Sequence, residues 1–74
     1  MEAKVLEILA EINEEILDYE GSSLVESGLL DSFQIVDLVG MLEEEFDIEI
    51  DAELVVVENF ETKEAIINML KNIL

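Results

Sequence analysis

A chain of 74 residues supports one domain with a thin core, because folding at this size buries only about 60% of the surface the unfolded chain exposes. There is no cysteine and no histidine, which excludes a disulfide framework, cysteine- or histidine-based metal centres, and histidine as a general base; 51% hydrophobic residues leave apolar packing as the source of stability. Twenty aspartates and glutamates against three lysines give a formal net charge of -17, which disfavours nucleic acid and anionic membranes as partners and favours proteins that present basic patches.

The stretch "MEAKVLEILAEINEEIL" places Val5, Ile8, Leu9, Ile12 and Ile16 three and four residues apart, which predicts an amphipathic helix over residues 1–17 with its acids on the far face. Acids run through residues 1–20, unlike a signal or transit peptide, and no apolar run approaches the roughly 18 residues of a membrane span. A soluble, cytoplasmic protein is the expectation. "DYEGSSLVESGLLD" follows as a connector, its two glycines and three serines breaking the periodicity. Leu24, Leu29 and Leu30 are apolar enough to fold back on a core, and a connector this long tends to carry function.

"SFQIVDLVGMLEEEF" predicts a second helix over residues 32–46. Asp31 reads as its N-cap, with Gln34 three residues later and apolar residues following at helical spacing. Ile35, Leu38, Val39, Leu42 and Phe46 cover an arc of about 100°, a core-facing stripe. Phe33, Val36, Asp37, Gly40 and Glu44 fall together on the other side. Two readings of that second face stand open: Phe33 and Val36 pack under the connector on Leu29 or Leu30, or they form an exposed apolar patch rimmed by acids, as transient docking surfaces are built. Ser32 holds the first helical position beside the free N–H groups of the first turn. It either helps satisfy those groups or offers a place where a phosphate ester is stabilised. A self-activated nucleophile is excluded, because the chain lacks the base that Ser–His–Asp chemistry needs. Any chemistry at Ser32 must come from another enzyme.

In "DIEIDAELVVVENFE" the alternation at Ile48 and Ile50 suggests a strand, but no second strand exists to pair with it. A loop and a short helical turn near "VENF" are therefore expected. The acid-dense "EEEFDIEIDAE" lacks the ligand spacing of an EF-hand, so no dedicated metal site is expected. Thr62 reads as the N-cap of a last helix, "KEAIINMLKNIL", with Ile66, Met69, Leu70 and Ile73 on one face and Lys71 in the final turn, where a cation complements the helix dipole. No repeat, low-complexity tract or linker interrupts residues 1–74. The economical architecture is all-α, a small bundle of three long helices and one short.

The stretch "GLLDSFQIVDLVGMLEEEFDIEI" resembles the phosphopantetheine attachment region of the acyl carrier protein family, whose signature is Asp-Ser-Leu or a close variant followed by an acidic helix ending in Glu-Glu-Glu-Phe. The likeness runs from the first helix to "FETKEAIINML". It implies a four-helix carrier bundle with no catalytic activity of its own, in which Ser32 bears a 4′-phosphopantetheine arm and Asp31 is its motif partner. The arm would come from coenzyme A through a phosphopantetheinyl transferase. Acyl or aminoacyl groups would ride on its thiol as thioesters between biosynthetic enzymes of fatty acid, polyketide or nonribosomal peptide type, and the cofactor rather than a cysteine would supply the sulfur.

The resemblance also assigns partner docking to the helix after the serine, here Phe33, Val36, Asp37, Gly40, Glu43 and Glu44. Arginines and lysines are expected on those partners, with the carrier itself a free-standing monomer. Three departures bear on the pathway. Phe33 stands where leucine is usual, Leu29-Leu30 stand where fatty-acid-synthase carriers show Gly-Ala, and Gly40 replaces a larger apolar residue, leaving a notch. "GLLDSF" is similar to D-alanyl carriers and to stand-alone carriers of specialised pathways, although the region after "FDIEI" departs from the D-alanyl pattern. A D-alanyl carrier and an acidic helical adaptor without a prosthetic group are the alternatives.

Overall fold

The first apolar stripe is interrupted sooner than its periodicity predicts. In the computed structural model, which describes residues 1–74, helix α1 runs only over Glu2–Ile12. Asn13 leaves the helical conformation (φ -165°, ψ 109°), and its side chain accepts from the Glu15 amide at 3.1 Å. An asparagine carbonyl offers that N–H an alternative to the helical acceptor one turn back, and here the alternative wins. The single helix expected over residues 1–17 is thus an α-helix followed by a 3₁₀ turn, Glu14–Asp18. Ile16 still reaches the core and is fully buried.

Residues 19–31 form the expected connector of turns. Leu24 and Leu30 are fully buried and Leu29 is half-buried. Helix α2 then spans Ser32–Phe46, as the stripe predicts, with Leu38 and Leu42 buried and Ile35, Val39 and Phe46 packed part-buried against the core. It ends where Asp47 turns left-handed (φ 52°), so that the Asp47 and Ile48 amides both return to the Glu43 carbonyl. That reversal gives the Ile48 amide a partner as the chain leaves the helix.

No strand forms at Ile48 and Ile50, since nothing lies alongside to pair with them. Ile50 is instead buried as an anchor of the chain leaving α2. Two 3₁₀ turns follow, Ala52–Leu54 and Val57–Phe60, the second at the predicted "VENF". The fourth helix is therefore a single 3₁₀ turn and not an α-helix. Asn59 helps hold it short, donating from Nδ2 to the Leu54 carbonyl at 2.7 Å. Helix α3, Lys63–Ile73, begins at Thr62, whose Oγ1 accepts from the Ala65 amide at 3.0 Å.

The structure is all-helical, with three α-helices and no strand. Fourteen buried apolar residues form one cluster fed by all three α-helices, the connector and the last 3₁₀ turn: Val5, Ile8 and Leu9 from α1, Ile66, Ile67, Met69 and Leu70 from α3, and Phe60 from the last 3₁₀ turn are among them. Ile67 is the member the one-face reading of α3 leaves out. α1 packs on both α2 and α3, which turns the opposite face of α2 to solvent.

Candidate functional site

The N-terminus of α2 is built by a complete capping box. The Gln34 amide donates to Asp31 Oδ1 at 2.8 Å, and the Asp31 amide donates to Gln34 Oε1 at 3.0 Å. The Ile35 amide is taken by the Asp31 carbonyl at 3.0 Å. The Ser32 and Phe33 amides have no protein partner, so two donors at the positive end of the helix dipole remain available beside the exposed Ser32 hydroxyl. An anionic ester at Ser32 would find both donors ready, and nothing covers the oxygen. The residues fit a phosphodiester at this position.

The Ser32 hydroxyl makes no hydrogen bond to a side chain that could serve as its base. The carboxylate next to it, Asp31, is committed through Oδ1 to the Gln34 amide, and no histidine exists in the chain.

Beyond Ser32, Phe33 is 82% exposed and Val36 is 68% exposed, so neither packs under the connector. Of the two sequence readings of this face, the exposed one holds. Asp37, Gly40 and Glu44 are exposed on the same side, and no atom lies within 4 Å of where a Gly40 Cβ would project, so the surface there is open. Glu43 behaves differently from its neighbour Glu44. It is half-buried, and its Oε2 accepts from the Ile50 amide at 2.8 Å, strapping the chain after α2 to the helix.

Glu43 is therefore expected to show its effect in folding. Glu43→Ala removes the partner of a buried residue's amide and should cost about 1 kcal/mol in urea denaturation, the low end of the usual range because water can reach the site. Glu43→Gln keeps an acceptor oxygen and should cost less than half of that.

Charge is distributed as unevenly as apolar surface. Every charged residue between Lys4 and Lys63 is acidic. The three lysines are engaged elsewhere: Lys4 lies 3.6 Å from Glu7, Lys71 lies 4.0 Å from Glu2, and Lys63 Nζ donates to the Leu17 carbonyl at 2.7 Å. The face that begins at Ser32 thus presents apolar groups and carboxylates with no cation among them.

Two structural features of the site escape the sequence pattern. The strap from Glu43 joins residues seven apart across a helix end, and no local motif announces it. The break at Asn13 does have a signal, a residue of poor helix propensity with a side chain suited to capping, but the continuing stripe to Ile16 overrides it.

A family model described as a phosphopantetheine attachment site matches residues 3–70. Neither the curated proteins nor the solved structures gave a significant match. Domains of this family carry a 4′-phosphopantetheine prosthetic group, and they meet phosphopantetheinyl transferases and biosynthetic enzymes. No helix of the chain is long and apolar enough to cross a membrane. With all three helices inside the matched segment for most or all of their length, the chain belongs to the phosphopantetheine attachment family and is a carrier domain of the acyl carrier protein kind.

Proposed function

We propose that Ser32 is the attachment point of the 4′-phosphopantetheine arm and that residues 1–74 act as one non-catalytic, cytoplasmic carrier domain for acyl or aminoacyl groups. The observation that carries this reading is the exposed Ser32 hydroxyl at the first position of α2, inside the family match, with two unpartnered amides beside it. When bound, the arm supplies a thiol that holds the cargo as a thioester. The protein's own part is to present the Ser32 oxygen, to favour the negative charge of the linkage at the helix N-terminus, and to give partner enzymes a surface to grip. Incubation with coenzyme A and a phosphopantetheinyl transferase should add one phosphopantetheinyl group, read by intact mass. A protein left unmodified by several transferases of broad specificity overturns the reading.

Docking is assigned to the face formed by Phe33, Val36, Asp37, Gly40 and Glu44, with Glu43 at its edge lending charge while its strap to Ile50 persists. Basic side chains on the partner complete it, and the carrier meets them as a monomer. Exposed carboxylates of this kind raise the rate of encounter more than the strength of the final complex, and salt screens them. Asp37→Lys combined with Glu44→Lys should lower kcat/KM for modification on the order of tenfold at low ionic strength, and by less at high salt. The helical circular dichroism signal should be retained, since both side chains are exposed. An unchanged rate in the double variant would place docking elsewhere.

A further inference from the structure

The connector ahead of Ser32 holds a hydroxyl that the site itself does not use. Tyr19 Oη donates to the Ser23 carbonyl at 2.9 Å and accepts from the Ser23 amide at 3.1 Å, so one side chain closes the turn over residues 20–22. A Cβ on Gly21 would overlap the Tyr19 hydroxyl and Cζ, and only glycine lets the ring cross this turn. Ser23, the one buried polar residue, adds a bond from the Glu26 amide to its Oγ at 3.1 Å.

From Ser23 the chain leads directly to a second point of fixation. The Leu24 amide donates to the Glu61 carbonyl at 2.7 Å, tying the connector to the segment before α3. The Leu24 carbonyl accepts from three donors: the Leu29 amide at 3.0 Å, the Leu30 amide at 3.1 Å and Ser27 Oγ at 2.9 Å. Leu24 and Leu30 are both fully buried, and Leu30 is followed at once by Asp31 and Ser32. Ser32 thus sits at the end of a hydrogen-bonded chain that starts at Tyr19.

We propose that Tyr19 and Gly21 form a clasp that positions Ser32 for modification, an inference that rests on reading Ser32 as the attachment point. The surface offered to a partner lies on α2, beyond Ser32, while the clasp acts on the backbone that enters α2 from the other side. Loosening it leaves docking intact and reduces the fraction of encounters in which Ser32 Oγ stands in line for transfer, a loss expressed in kcat and not in KM. Tyr19 and Gly21 are positioning residues and touch no reacting atom.

Tyr19→Phe is the sharpest test, because the ring keeps its half-buried packing against the core and only the hydroxyl is lost. With a phosphopantetheinyl transferase and coenzyme A, kcat should fall about three- to tenfold with KM unchanged. Amide hydrogen exchange at Leu29 and Leu30 should accelerate in the same variant. Gly21→Ala, which displaces the whole ring, should shift both readouts the same way and further. Wild-type kcat together with wild-type exchange at Leu29 and Leu30 overturns the clasp, as does a rise in KM with kcat unchanged. A wild-type protein that accepts no phosphopantetheine is a different result, and it overturns the Ser32 reading.

Discussion

Ser32→Ala is expected to accept no phosphopantetheine under conditions in which the wild-type chain is fully converted, a loss down to the background of the mass spectrum. The other hydroxyls cannot substitute. Ser23 is buried and tied into the Tyr19 turn, Ser27 Oγ is committed to the Leu24 carbonyl, and Thr62 Oγ1 caps α3. Ser22 is exposed but lies in the connector, away from any helix start, so no helix dipole favours an anionic ester on it. The substitution removes an exposed oxygen at the first helical position and leaves the capping box of Asp31 and Gln34 intact. Stability should therefore stay within about 0.5 kcal/mol of wild type, as for most surface changes away from a special feature. Lost modification in a folded variant isolates the chemistry from the fold. A Ser32→Ala protein that still gains the group would move the attachment point, and peptide mapping would show where.

Helix α2 is the part of the molecule most legible in the sequence, and the reason is that several independent signals coincide there. Asp31 and Gln34 mark its start, the stripe from Ile35 to Phe46 marks its core face, and both are found where the pattern puts them; the pattern also singles out Phe33 and Val36 as out of phase with the core, while their exposure is decided only by the structure. α3 is nearly as clear, from the Thr62 cap to the stripe of Ile66, Met69 and Leu70. What stayed illegible was non-local or conformational. Asn13 breaks a helix whose hydrophobic period continues straight through it, because a side-chain hydrogen bond outcompetes one turn of backbone bonding. Glu43 reads as one more acid on an acidic helix until the chain after Asp47 folds back and presents the Ile50 amide. The Tyr19 turn depends on a ring lying over a glycine two residues on, which no periodicity encodes. The exposed apolar face of α2 was legible for a further reason. An apolar residue out of phase with the core stripe conflicts with the local pattern, and such conflicts collect at functional surfaces.

The largest effect on folding is expected at Phe60. It is the largest fully buried side chain and anchors the 3₁₀ turn Val57–Phe60, where no α-helix holds the backbone. Phe60→Ala should cost about 3–5 kcal/mol, the usual range for a buried aromatic. A domain of this length has a total stability of only about 4–11 kcal/mol at 0.05–0.15 kcal/mol per residue. Self-repulsion from a net charge of -17 draws that total down further at low ionic strength. In dilute buffer the variant should thus lose its cooperative thermal transition. Raising the salt from about 0.01 M to 1 M shortens the Debye length from roughly 30 Å to 3 Å and should restore part of the transition. Phe33→Ala is the matched control, the same truncation at a side chain 82% exposed, and should change stability by no more than about 0.5 kcal/mol. The two phenylalanines then separate by assay: Phe60→Ala fails in denaturation, while Phe33→Ala stays folded and, if the proposed docking face is used, is modified more slowly for want of its largest apolar group. Equal stabilities for the two variants would mean that the core does not close over Phe60, and with it the packing that fixes the chain between α2 and α3.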